Sequence, residues 1–163
     1  LMKVLIRKAE KKDSLMILNL IKELAIFEKE PKSVKLRLSD IENDGFGAKP
    51  LFECIVAEIN KEVIGMAFYY PRYSTWKGPT IHLEDLIVSE QYRGKGVGTL
   101  LYSNFIKMAL DFGVKRIEWN VLDWNSTAKN FYKKSGAKVL DEWRTVQMHQ
   151  SEMKKYLKNI RND

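Results

Sequence analysis

Arg93-Gly94-Lys95-Gly96-Val97-Gly98 stands between an apolar, strand-like run, His82-Leu83-Glu84-Asp85-Leu86-Ile87-Val88, and a helix-like run from Thr99 to Phe112. Three glycines at a strand-to-helix junction leave backbone N–H groups uncovered at a helix N-terminus. Free donors and the positive end of the helix dipole favour phosphate there. Spacing then decides between phosphate loops. A Walker loop, G-x-x-x-x-G-K-S/T, does not occur in the chain. A dinucleotide fingerprint, G-x-G-x-x-G, fails as well. After Gly94 and Gly96 its last slot holds Thr99, and after Gly96 and Gly98 it holds Leu101. The alternative for the same residues is a tight turn followed by a helix start. Valine at Gly96 or Gly98 is expected to block the loop and to disfavour a positive φ.

Outward from this junction, Val4 to Arg7 reads as a short first strand. Asp13 is placed to cap a helix running to about Glu28, and Met16, Ile17, Leu20, Ile21, Leu24 and Phe27 follow helical spacing. Pro31 ends that pattern. Ser39 and Glu42 form a capping box for a second, short helix that stops at Gly45. Leu51 to Ile59 and Glu62 to Tyr70 read as strands joined at Asn60-Lys61, a hairpin signal. Thr80 to Val88 and Arg116 to Leu122 are further strands, Ser126 to Ser135 a helix closed by Gly136, Val139 to Met148 a last strand, and Ser151 to Ile160 a terminal helix. Early hairpins imply antiparallel pairing, and the helix from Thr99 between two strands implies one parallel crossover. The expected class is α+β, a mixed and mostly antiparallel sheet flanked by helices, in a single domain over residues 1–163.

The chain has 163 residues, 45% hydrophobic and 30% charged, an ordinary globular composition. No apolar run approaches a membrane span, and no leader-like segment opens the chain. Leu1 before Met2 reads as a cloning or processing remnant. The lone cysteine, Cys54, lies in the strand-like Phe52-Glu53-Cys54-Ile55-Val56 and reads as a packed residue. A reducing cytoplasm fits this usage. His82 and His149 are the only histidines and have no cysteine partners, so no metal site is expected. His82 reads as a strand residue facing solvent or a pocket wall. The net charge of +7 admits a polyanionic cofactor or nucleic acid. The basic residues are dispersed, and Lys133-Lys134 and Lys154-Lys155 sit on helix-like segments, which reads as solvated surface.

A second constellation follows the strand from Arg116. Asp123-Trp124-Asn125 precedes a helix with Asn130-Phe131-Tyr132-Lys133-Lys134-Ser135-Gly136-Ala137. The string N-x-x-A-x-x-F-Y-x-x-x-G-A, carried by Asn125, Ala128, Phe131, Tyr132, Gly136 and Ala137, lies downstream of Q/R-x-x-G-x-G/A, carried by Arg93, Gly96 and Gly98. Together these resemble the GNAT acetyltransferases, whose glycine loop holds the pyrophosphate of coenzyme A. Leu18 to Glu28, Asp44-Gly45-Phe46-Gly47, Tyr69-Tyr70, Leu83-Glu84-Asp85 and Trp143 resemble the diamine acetyltransferases among them. Thr80 to Asp85 and Val121 to Asn125 look closest to the thialysine branch.

The resemblance implies residue roles by position. Leu86, Ile87 and Val88, the loop residues Arg93, Gly94, Lys95, Gly96, Val97, Gly98 and Thr99, and Asn125, Ser126, Thr127 and Ala128 would contact coenzyme A. Glu84 would be the carboxylate near the acceptor amine, and Tyr132 would sit at the sulfur. Phe27, Glu28, Asp85, Glu118, Trp119, Asn120 and Glu142 would line the amine site. Phe27 stands where relatives often have Tyr. Ser74, in the loop Tyr73 to Trp76, stands where they often have an acid. The family also implies acetyl-CoA as cosubstrate and a homodimer with contacts near the C-terminus.

The implied chemistry is physically sound. A primary amine with a pKa near 10.4 is almost wholly protonated at pH 7, and selecting the neutral form costs roughly 4.6 kcal/mol. Glu84 can take that proton, directly or through water, and Tyr132 can supply one to the departing thiolate. A backbone N–H near Ile87 or Val88 is the candidate donor to the developing oxyanion. Strand alternation predicts that one of Glu84 and Asp85 faces inward. Other acceptors, a protein lysine or a different small amine, fit the same scaffold. A nucleic-acid module would instead need a basic stripe interleaved with exposed aromatics, whereas Trp119, Trp124, Phe131 and Tyr132 fall in or beside expected core elements.

Overall fold

The structure is a computed structural model and describes residues 3–160. Leu1, the expected processing remnant, and Met2 lie outside the described residues. By its internal contacts the chain divides into two compact units, Leu1–Asn120 and Val121–Asp163.

The first unit holds a five-stranded sheet whose strand order follows the chain: β1 (Leu5–Lys8), β2 (Glu53–Ile59), β3 (Glu62–Ser74), β4 (Gly78–Val88) and β5 (Ile117–Glu118). The first three pairings are antiparallel and the last is parallel, as the hairpins and the crossover imply. Asn60 and Lys61 turn from β2 to β3 with φ of 50° and 69°, the doubly left-handed geometry of a two-residue hairpin. Helices α1 (Ser14–Phe27) and α2 (Leu38–Phe46) cover one face, where Ile17, Leu20 and Ile41 pack with Cys54, Val56 and Met66. Helix α3 (Val97–Asp111) covers the other, where Leu101 and Phe105 pack with Ala67, Tyr69 and Leu83. Gly65 in β3 permits this closeness. A Cβ there would stand 2.8 Å from the Ile87 carbonyl oxygen and 3.1 Å from Leu101 Cδ1.

Several boundaries differ from the expected ones. Asp13 does not cap α1. Its carboxylate accepts from the Glu10 amide at 2.8 Å and from both terminal nitrogens of Arg7, so it ties the 3-10 turn before α1 to β1. With Asp13 only 5% exposed, an ion pair outcompetes a cap. The box at α2 is made by Arg37 and Asp40, not Ser39 and Glu42: the Arg37 amide donates to Asp40 Oδ2 at 2.8 Å. β5 is two residues long rather than running to Leu122.

The second unit contains α4 (Ser126–Lys134) and α5 (Gln150–Ile160). The strand expected over Val139 to Met148 is absent, and those residues are irregular. Strand hydrogen bonds need a neighbouring strand, and this unit has none among its described residues. Leu140, Trp143 and Val146 are exposed accordingly. Among the described residues no helix is long and apolar enough to cross a membrane.

Candidate active site

β4 places the central carboxylates. Its register with β3 slips between Phe68 and Tyr69, which pair with Asp85 and Leu83, so Glu84 is the extra residue of a β-bulge. The bulge re-aims its side chain, and Glu84 is 50% exposed while Asp85 is turned inward, one carboxylate to each environment. Tyr70 donates its hydroxyl to Glu84 Oε2 at 2.9 Å. His82 Nε2 lies 3.6 Å from the same oxygen, and the His82 and Tyr70 rings stack at 5.2 Å. His82 is buried rather than facing solvent.

Three acids of the expected amine site gather in this unit. Burial, then the nearby charge of Glu84, raises the Glu28 carboxyl above its ordinary value. Asp85 is pushed up to about 7 by burial first, then by Glu84 and Glu28. Glu118 belongs to a different arrangement. It pairs across the sheet with His82, and its carboxylate is held between Arg72 and Arg116. Trp119 turns to the α3 face and meets Tyr102 edge-on at 5.9 Å, against the core. Phe27 lies under the Arg93 guanidinium, 5.5 Å from ring centre to Cζ.

Burial lowers the His82 pKa and keeps the imidazole neutral at pH 7. A base depressed in the folded state loses stability as pH falls below its unfolded value, near 6.5. Asp85 acts oppositely: between about 4 and 7 the folded chain holds a proton that the unfolded chain releases, so stability falls as pH rises through that window. Asp85→Asn should therefore melt close to the wild type at pH 4 and be more stable at pH 8.5, by ~2–4 kcal/mol. Thermal melts at both pH values check this, and a difference independent of pH counts against the buried carboxyl.

Beyond Val88 the chain enters the glycine loop. Gly94 and Gly96 have φ of 72° and 80°, and apart from their chain neighbours nothing among the described residues lies within 4 Å of where their Cβ atoms would be. Gly96 is the N-cap of α3 and brings no side chain to its first amides, which stand at the positive end of the helix dipole. Gly98 differs from expectation. It lies inside α3 without a positive φ, and a Cβ there would meet Val88 Cγ2 at an ordinary 3.7 Å. Arg93 braces the loop from behind: Nε donates to the Val88 carbonyl at 2.8 Å, and the guanidinium pairs with Glu23. Lys95 Nζ donates to the Gln91 carbonyl. Val97 is buried and Thr99 lies in the first turn of α3. The register of β5 against β4 covers only Ile81 and His82, so beside Leu86, Ile87 and Val88 that edge has no strand partner among the described residues. An open, anion-attracting cradle next to a strand edge without a strand partner among the described residues suits a nucleotide pyrophosphate followed by an extended amide-bearing arm.

In the second unit Asn125 caps α4, its side-chain oxygen accepting from the Ala128 amide at 3.1 Å. Asp123 pairs with Lys129, and Ser126 and Thr127 open the helix. Tyr132 meets Phe131 edge-on at 5.4 Å. Trp124, expected near a core, is exposed, and Glu142 lies on the irregular segment. Asn120 is the last residue of the first unit and is exposed.

Sequence reading missed Tyr70 and Arg72 as partners of the acids. Their signal lay in the hairpin register that sets Tyr70 opposite His82, but a bulge cannot be counted from residue types alone.

The Acetyltransferase (GNAT) family model matches residues 14–137. Over 147 residues the chain is 42% identical to the Bos taurus protein named thialysine N-epsilon-acetyltransferase, covering 85% of this chain and 86% of that one. It is 34% identical over 158 residues to the human spermidine/spermine N(1)-acetyltransferase-like protein 1, covering 91% of this chain and 23% of that longer one. Among solved structures, an integron cassette protein from V. cholerae superposes with a TM-score of 0.79 at 26% identity, over 96% of this chain and 99% of that one.

Proposed function

This chain belongs to the GNAT acetyltransferase family, and we propose that it acetylates a primary amine of a small diamine, polyamine or thialysine-like molecule. The observation that carries the reading is on β4: one strand presents Glu84 at a bulge among Glu28 and Asp85, then runs into the open glycine loop. The acids would attract a cation although the chain carries +7 overall, and the loop and dispersed lysines would face the anionic cosubstrate.

Gly94 to Thr99, Leu86 to Val88 and Asn125 to Ala128 would hold acetyl-CoA, which supplies the activated acetyl group. Glu84 takes the proton of the acceptor ammonium and frees the nitrogen lone pair. A backbone N–H at Ile87 or Val88 donates where negative charge develops. Tyr132 gives its phenolic proton to the departing sulfur. Direct attack needs no covalent acyl-enzyme, and the Cys54 thiol, pushed up by burial, has no part in it. The family match crosses residue 120, which supports one functional domain built from both units. A reducing cytoplasm and a homodimer belong to the same proposal, and sedimentation tests the dimer.

Substrate preference follows from one missing acid. Ser74 Oγ accepts from the Trp76 and Lys77 amides and closes the β3–β4 turn without a charge for a distal ammonium. An exposed ion pair is worth only ~0–1 kcal/mol, so the change in preference is several-fold at most. Acetyl-CoA consumption against polyamines, thialysine, lysine and peptides should give a higher kcat/KM for thialysine or another short amine than for spermine. Ser74→Asp should improve spermine more than thialysine. Preference for spermine by more than about tenfold overturns this substrate order, and preference for the peptides overturns the small-amine reading.

A further inference from the structure

Making an amide from an ammonium removes two protons from nitrogen, and one carboxylate holds one proton. Where both protons leave through Glu84, and the Tyr132 phenol refills from solvent after protonating sulfur, the carboxylate is used twice. Glu84 must therefore be emptied between the two losses. The residue placed to empty it is His82. Its side chain is nine-tenths buried, its Nε2 is 3.6 Å from Glu84 Oε2, and its Nδ1 is buried with no hydrogen-bond partner among the described residues. A neutral imidazole kept beside a carboxylate, at the cost of an unsatisfied nitrogen, is an expensive way to fill space.

Resting on the reading of Glu84 as the acceptor of the amine proton, we infer that His82 is the positioning residue behind Glu84 and the second station of that proton. The ammonium N–H bond breaks as an O–H bond forms on Glu84. That O–H bond then breaks as an N–H bond forms at His82 Nε2, restoring the carboxylate. The remaining distance closes by rotation of the half-exposed Glu84 side chain, whose Oε2 is meanwhile held by the Tyr70 hydroxyl. After transfer His82 returns its proton through Glu84 to solvent.

The surroundings suit a proton that stays briefly. From its own strand His82 faces Glu84. From β3 it faces Tyr70 and Arg72, and from β5 Glu118 with Arg116 behind it. Glu84 and Glu118 favour the imidazolium, while burial and Arg72 oppose it, and opposition wins in the resting protein.

His82→Phe tests this, because phenylalanine keeps the stack on Tyr70 and removes the proton acceptor; His82→Gln serves as the second variant. The probes are 1,3-diaminopropane and its 2,2-difluoro derivative, whose amines are far less basic and need one proton removed instead of two. With 1,3-diaminopropane, kcat should fall roughly 10- to 100-fold, less than loss of a direct acid–base group, and its pH profile should lose the limb that His82 contributes. With the difluoro amine, kcat should stay within about threefold of wild type. Coenzyme A affinity and melting temperature should be retained. Equal losses on both amines, or no loss on the ordinary amine, overturn the relay and leave His82 as packing. Glu84→Gln with undiminished turnover overturns the parent reading instead.

Discussion

Tyr132→Phe should lower turnover by roughly 10²–10⁴-fold, the range for removing a general acid. The phenylalanine ring keeps the edge-on contact with Phe131, and α4 keeps its Asn125 cap, so the helix should persist. Coenzyme A affinity should change little. The loss should appear in kcat with KM for the amine nearly unchanged, as for an interaction used only at the transition state. Steady-state kinetics beside a direct coenzyme A titration separate the two quantities. Near-normal turnover would return Tyr132 to a packing role, and an equal loss of affinity would mean that the hydroxyl binds rather than reacts.

Gly96→Val should abolish useful coenzyme A binding. At φ of 80° a side chain pays about 1–2 kcal/mol, and a β-branched one suits that region worst. The added methyls would also occupy the open space in front of the first α3 amides. Gly113→Val separates these effects. Gly113 has φ of 72° with nothing within 4 Å, so valine there should cost similar stability without touching the cofactor loop. Comparable melting losses with affinity lost only at Gly96 identify the loop as the phosphate cradle. Unchanged affinity in a folded Gly96→Val protein would falsify that assignment. Gly98 no longer shares the argument from φ, because it lies within the helix.

The acid cluster explains a tension in the composition. A strongly basic chain is a poor attractor of cations in bulk, yet fields near a surface depend on local charge within about 10 Å. The charge of Glu84 raises the Glu28 and Asp85 carboxyls, and Glu28 adds to the rise at Asp85, so the three lie within such range. Glu118 does not add to this cluster, since Arg72 and Arg116 neutralise it. Arg72→Ala would expose that charge beside His82.

Residue order by itself determined the hairpin at Asn60-Lys61, the helix after Asp13, a helix after the glycine loop (expected from Thr99, beginning at Val97), the parallel crossover and the loop's glycines, because each is written in local chemistry: turn residues, apolar periods of 2 or 3.6, and glycines such as Gly94 and Gly96 where φ is positive. The family resemblance carried by the same string marked Glu84 and Tyr132 as candidates. Tertiary structure alone decided which acid faces solvent, because a bulge shifts the register by one residue and so changes which face a side chain meets. It also decided that Asp13 binds Arg7 instead of capping α1, that the segment from Val139 finds no strand in its own unit, and that His82 lies buried against Tyr70 and Glu84. Each of those outcomes depends on a partner distant in sequence, and a pattern read along the chain carries no record of that partner's position.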